Sequence, residues 1–166
     1  MMVLMFAGTL ILSAVPVWAK KPITMTIDVT PITGGPTNVV VLKNGLMKIS
    51  FWVEQDWDGD WVGDNAMSGS TVVRTPDRGH SLNTVMTFGT FEGTVYFPDG
   101  TERTGTVMYR MRNNFVIENG VPSNFFSNVI TILQGTGELA NIHGQGTVDE
   151  PSPGQGEIII NVHFDP

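Results

Sequence analysis

The residues best placed to do chemistry in this chain are aspartates in one short segment. Asp56, Asp58 and Asp60 occupy alternating positions, and in a strand this alternation places their carboxylates on one face, where a cation could relieve their repulsion. The spacing matches the start of a Ca²⁺-binding EF-hand loop, but Trp61 stands where the loop needs Gly and Met67 where it needs Glu. The segment predicts either a calcium site or a solvated acidic turn, and the turn is favoured because too few oxygen ligands are evident.

Three tryptophans surround the same aspartates. Aromatic side chains bury large areas, and they can also hold sugars or other flat ligands. We therefore predict Trp52, Trp57 and Trp61 as candidate ligand-binding residues. The alternative is that these side chains close one end of a barrel.

No group of residues has the pattern of a known catalytic site. His80, His143 and His163 lack the short spacing of zinc ligands, although one histidine could act alone as an acid or base. No Ser-His-Asp order, nucleophile elbow or phosphate-binding glycine loop is recognisable. The sequence thus identifies no catalytic residue and does not decide whether the protein is an enzyme.

Composition excludes several classes of protein. The formal net charge is −7 and the pI about 4.7, so an acidic surface would repel both nucleic acid and anionic lipid. There is no cysteine, so the fold must depend on its core without disulfides. Many glycines and prolines and few charges favour a folded chain rich in turns.

The first nineteen residues have the pattern of a secretory signal. Residues 1–15 carry no charged side chain, and Val17 and Ala19 stand at the positions expected before a cleavage site. An uncleaved membrane anchor is the alternative, since the apolar run approaches the length of a spanning helix. We expect cleavage, and with it a secreted or periplasmic protein that is not held in a membrane.

The rest of the chain shows the period-two alternation of β-strands. Met47, Ile49 and Phe51 share one face of a predicted strand and should point to the core. Asn113-Asn114 is typical of a turn between two strands. Because no window of this region has helical periodicity, the pattern favours an all-β barrel or sandwich.

The predicted domain division places an N-terminal arm before the β-domain. Within residues 20–45, the stretch from Thr24 to Val29 alternates with period two and could form a strand, which Pro31 and Pro36 then interrupt, and Asn44-Gly45 is a strong hairpin turn signal. Residues 46–166 are then the barrel domain.

A glycine-rich corner gives this chain a family resemblance. Gly135-Thr136-Gly137-Glu138-Leu139 running into Gly144-Gln145-Gly146 resembles the corner of the allene oxide cyclase and dirigent barrel superfamily, which includes many uncharacterised bacterial proteins. Trp57-Asp58-Gly59-Asp60-Trp61-Val62-Gly63 is similar to a segment of those members. The resemblance implies an eight-stranded antiparallel barrel with an interior cavity, and it implies homo-oligomers, since superfamily members often trimerise. Plant members cyclise a lipid epoxide or guide coupling of phenolic radicals, but their catalytic motifs have no clear counterpart here.

The expectation from the sequence is therefore a secreted single-domain barrel that binds a small apolar or amphipathic ligand without a resident cofactor. A cyclase or isomerase that uses the barrel cavity, and an oligomer-forming structural module, are the alternatives. Eight-stranded barrels either fill with side chains or hold one small ligand, so the packing of the interior decides among them.

Overall fold

The computed structural model describes residues 21–42, 46–74, 81–118, 121–152 and 155–165. Segment 1–20, the Asn44-Gly45 turn signal and His80 lie outside these ranges. The eight strands β1 to β8 are, in chain order, Ile23–Val41, Leu46–Gly59, Trp61–Arg74, Ser81–Tyr96, Glu102–Glu118, Val121–Gly135, Ile142–Ser152 and Gln155–Phe164. Within the described part of the chain, no helix is long and apolar enough to span a membrane.

The strands form one closed antiparallel barrel. Each strand pairs with the next in sequence, and β8 pairs with β1 from Ile23↔Val162 to Val29↔Gly156. Alternate side chains of each strand point inward, which explains why Ile158 and Ile160 are buried while Ile159 is exposed. The prediction of an all-β fold with eight antiparallel strands is confirmed.

Most of the predicted N-terminal arm, residues 20–45, is strand β1, which includes the alternating stretch from Thr24 to Val29. Met25, Ile27 and Val29 are buried in the core, and this first part of β1 pairs with both β2 and β8. Beyond Val29 the strand pairs only with β2, as far as Val41↔Met47. We call residues 30–41 the distal half of β1; with β2 it forms a hairpin.

The turn predicted at Asn113-Asn114 is also wrong, because β5 runs through it without a break. Val85↔Asn113 and Thr84↔Asn114 are paired positions of β4 and β5, and the Thr84 hydroxyl donates to Asn114 Oδ1 at 2.8 Å. Ladder pairing along the whole of β4 therefore outweighs the turn preference of two asparagines.

The interior is divided into two apolar clusters. The larger contains buried side chains from every strand, with Trp57, Trp61, Phe91 and Tyr109 as its largest members. The smaller contains Val73, Val85 and Phe115, against which the half-buried Met47, Ile49 and Phe51 pack. The predicted core face of β2 is thus confirmed, although its residues are only partly buried.

Glycines on the inner face make room for the aromatic rings. Gly89 is paired with Tyr109 across β4 and β5, and a Cβ at Gly89 would overlap the Tyr109 ring. At Gly93, a Cβ would lie 2.8 Å from Cζ of Phe91. Any larger residue at either position would have to displace a buried ring.

We expect Gly89→Ala to lower the free energy of unfolding by about 1–3 kcal/mol, because overpacking a filled core forces neighbouring side chains out of place. Gly35→Ala is the matched control, since a Cβ there meets nothing within 4 Å, and it should change stability by less than about 0.5 kcal/mol. Urea unfolding of both variants measures the difference. Equal effects would mean that Tyr109 does not occupy the space over Gly89.

Candidate functional site

Aromatic rings fill the part of the interior nearest the β2–β3 turn. Trp57 stacks on Phe91 with ring centroids 5.3 Å apart and lies 5.3 Å from Tyr109, while Trp61 lies 5.2 Å from Phe91. Trp57 and Trp61 are only 2% and 1% exposed, as expected of side chains that close a barrel. This part of the barrel offers packed side chains rather than an open cavity.

The three tryptophans predicted to bind ligand are not brought together. Trp57 and Trp61 share the core, whereas Trp52 lies on the outer face of β2. With Phe88, Met108 and Leu133, Trp52 lines a shallow outer groove of about 350 Å³. A ligand-binding role for these tryptophans stays a prediction.

A hydrogen-bonded chain of buried polar side chains lies against the aromatic layer. The Tyr109 hydroxyl donates to Asn65 Oδ1 at 2.8 Å, and Asn65 Nδ2 donates to Gln55 Oε1 at 2.8 Å. Burial raises the pKa of the Tyr109 phenol, and the hydrogen bond with Asn65 offsets only part of that rise. Because these side chains already satisfy one another, they fix Tyr109 in place.

A second buried polar group, on β5, β6 and β7, is not fully satisfied. Asn113, Asn128 and Glu150 are 3%, 2% and 7% exposed. Asn113 Nδ2 donates to Glu150 Oε2 at 3.3 Å, and Asn128 Oδ1 accepts the backbone N–H of Asn114 at 3.0 Å. Asn113 Oδ1 and Asn128 Nδ2, both inaccessible to solvent, have no hydrogen-bond partner among the described residues.

These two atoms form an unusual site, which we call the interior polar site. A buried polar atom without a partner costs about 1–3 kcal/mol, so most such atoms in folded proteins are paired. Here one acceptor and one donor on neighbouring strands are left free together. A hydrogen-bond donor would satisfy Asn113 Oδ1, and an acceptor would satisfy Asn128 Nδ2.

The interior polar site borders the smaller apolar cluster. Asn113 is paired with Val85 across β4 and β5 and precedes Phe115 in the inner row of β5, and both of these residues belong to that cluster. Ile49 and Phe51 of the same cluster remain half-exposed, because no described strand pairs with the far edge of the distal half of β1. The barrel therefore has buried polar atoms in its interior and a partly exposed apolar surface beside the free edge of β1.

The aspartates predicted to bind calcium lie at the opposite end of the barrel. Asp56 and Asp58 are exposed on β2, and Asp60 lies in the turn between β2 and β3. The Asp60 carboxylate accepts the backbone N–H of Thr26 at 2.7 Å, and Asp58 accepts that of Gly59 at 2.7 Å. Within the described ranges, no group of three or more His, Asp or Glu side chains is arranged to hold a metal ion. Calcium binding by the aspartates stays a prediction.

Two of the three histidines meet on the outer surface. His143 and His163 are paired across β7 and β8, and their ring centroids are 5.7 Å apart. Nε2 of His143 and of His163 lies 3.2 Å and 3.7 Å from the Asp165 carboxylate. These residues border an outer groove of about 810 Å³ that is separate from the barrel interior.

The interior polar site was missed in the sequence because its residues lie on three different strands, β5, β6 and β7, and only the pairing register brings them together. Asn113 was assigned to a turn, although Val107, Tyr109, Met111, Asn113 and Phe115 continue one alternating row. That row was the available signal, since a polar residue inside an otherwise apolar inner row must be buried. Asn128 and Glu150 carry no comparable local signal.

Fold and site together define an all-β barrel with a partly polar interior. No protein-family model and no curated protein matches the chain. Among solved structures, it is similar to a protein with unknown function from the DUF3224 family of Shewanella oneidensis MR-1. The TM-score is 0.59 at 14% sequence identity, and the similarity covers 87% of this chain and 97% of that one. At this identity the similarity shows the shared fold alone.

The raised pKa of Tyr109 predicts a loss of stability at alkaline pH. The ordinary pKa of a tyrosine phenol is 10.0, so above this pH the phenol ionises in the unfolded chain but stays protonated in the folded one. The unfolded state then binds fewer protons than the folded state, and stability falls as pH rises. We expect Tyr109→Phe to flatten this alkaline decline. Tyr96→Phe, which alters a phenol on a residue that is 44% exposed, should retain it. Thermal melts of the three proteins between about pH 8 and 12 test this, and identical profiles for all three would contradict it.

Proposed function

We propose that this protein is an exported barrel that binds a small amphipathic ligand at the interior polar site. The carrying observation is the unpartnered pair, Asn113 Oδ1 and Asn128 Nδ2, next to an accessible apolar surface. Folding leaves these atoms unsatisfied at a cost that a bound polar group would remove. The signal-like residues 1–19 support export, and the resemblance of the glycine corner to a cavity-forming superfamily supports ligand binding.

The site also indicates the chemistry of the ligand. Asn128 Nδ2 requires an acceptor and Asn113 Oδ1 requires a donor, so a hydroxyl or a carboxamide fits both atoms. A carboxylate fits less well, because it brings no donor for Asn113 Oδ1. The apolar part of the ligand would lie against Ile49, Phe51 and Phe115.

The affinities for decanol and decanoate distinguish a site with specific hydrogen bonds from a surface that is only apolar. We expect decanol to bind at least about tenfold more tightly than decanoate, because the carboxylate brings no donor for Asn113. Asn128→Leu should weaken decanol binding by about tenfold through loss of one hydrogen bond. Thr87→Val is the matched control, because this buried hydroxyl already donates to the Met111 carbonyl at 3.4 Å. Changes in tryptophan fluorescence on titration report the affinities.

Native mass spectrometry of the protein purified from its host is the companion measurement, and it should show loss of residues 1–19 together with a retained small molecule. The proposal fails if decanol and decanoate bind equally, or if Asn128→Leu and Thr87→Val behave alike. Retention of residues 1–19 would contradict export by cleavage while leaving the binding site intact.

A cyclase or isomerase that uses the barrel interior is the second candidate, and the buried Glu150 favours it. A carboxyl group enclosed in a barrel can act as the acid or base of a proton transfer. If it does, the molecule recovered with the protein should exchange a C–H hydrogen in deuterated water when added back to it. Glu150→Gln should abolish this exchange and leave binding intact. Equal exchange with both proteins, or none with either, would remove the enzyme from consideration.

A further inference from the structure

The distal half of β1 has an unpaired edge. Its backbone pairs with β2 on one side from Thr30↔Asp56 to Val41↔Met47, but its pairing with β8 ends at Val29↔Gly156. No other described strand pairs with that free edge. A strand edge of this kind offers a row of N–H and C=O groups to another chain.

The free edge is protected in its first part and unprotected in its last part. Pro31 and Pro36 lie in the first part, and the β1–β2 register shifts beside each of them. Prolines and irregularities of this kind both prevent edge-to-edge pairing. From Asn38 to Val41 there is no proline, no register shift and no charge. Three consecutive valines with high strand propensity fill this stretch.

The unprotected stretch is also apolar on both faces. Val39, Val40 and Val41 alternate between the two faces, yet all three are exposed, Val41 by 75%. Val39 is paired with Ile49 and Val41 with Met47, so these two valines extend the inner apolar face of β2 past the end of the core. On its other side β2 is paired with β3 from Leu46↔Arg74 to Trp57↔Gly63, so this stretch of β1 is the edge strand of a sheet with apolar side chains exposed on both faces, and such an edge favours pairing with another strand.

We propose that the Asn38–Val41 edge pairs antiparallel with the same edge of a second copy of this chain. A two-fold axis places an identical segment opposite itself, as required for a closed symmetric dimer. Charge favours a second copy at this place: the chain carries a net −7, but residues 30–42 contain no charged side chain, so two acidic molecules can approach here with least repulsion. The pairing would cover Val39 and Val41, which extend the inner apolar face of β2.

Val41→Lys tests this dimer with little risk to the fold, because the side chain is mostly exposed. Position 41 would lie opposite Asn38 of the second copy, so each copy would bring one lysine into the paired stretch, and we expect the dimer dissociation constant to rise at least about tenfold. Val72→Lys is the matched control, because Val72 is 50% exposed on β3 and is paired with Lys48 of β2, away from the free edge of β1. Sedimentation velocity over a concentration series measures all three proteins.

The expected result is a reversible dimer for the wild type and Val72→Lys, and a monomer for Val41→Lys. Amide hydrogen exchange should show protection of residues 38–41 that rises with protein concentration and disappears in Val41→Lys. A wild-type monomer with unprotected edge amides at high concentration would overturn the proposal. So would an oligomer that Val41→Lys leaves unchanged, since such an oligomer must use another surface.

Discussion

The fit of four large aromatic rings inside a closed wall of eight strands is the constraint on which the rest of this structure depends. Trp57↔Gly63↔Gly93↔Gly105 is one continuous row of paired positions across β2 to β5, so three adjacent strands carry no side chain beside Trp57. The four rings pack on one another at 5.2–6.0 Å, and a Cβ at Gly93 would lie 2.8 Å from Cζ of Phe91, whereas a Cβ at Gly63 or Gly105 would meet neighbouring backbone. Glycine is thus needed here for room as much as for backbone freedom.

The aromatic rings fill the end of the barrel near the β2–β3 turn, and the interior polar site lies toward the β1–β2 hairpin. There the inner rows change from aromatic to polar at Asn113, Asn128 and Glu150, and the smaller apolar cluster replaces the larger one. Among the described strands, none pairs with the free edge of β1 in this part of the barrel. A small ligand inside the barrel and a second copy of the chain at the free edge would therefore bind in neighbouring parts of the same region.

Local alternation was a good guide to the barrel and a poor guide to the site. The inner rows of β2 and β8 could be read directly, since each strand reports its own buried face through every second residue. The turn predicted at Asn113-Asn114 was wrong because strand pairing overrode the local preference of asparagine, and pairing with β2 likewise continues β1 past Pro31 and Pro36. The tryptophans were grouped by sequence proximity, but the pleat of β2 sends Trp52 outward and Trp57 inward.

The sequence by itself determined the fold class, the acidic surface and the glycine-cornered barrel, because side-chain period, charge and glycine spacing are properties of consecutive residues. Only the tertiary structure decided that Asn113, Asn128 and Glu150 meet, and that one edge of β1 stays free. The physical reason in both cases is the pairing register between strands: that of β5, β6 and β7 brings the three polar residues together, and that of β1 and β8 ends at Val29↔Gly156, while no local pattern encodes which atoms such pairing leaves without a partner.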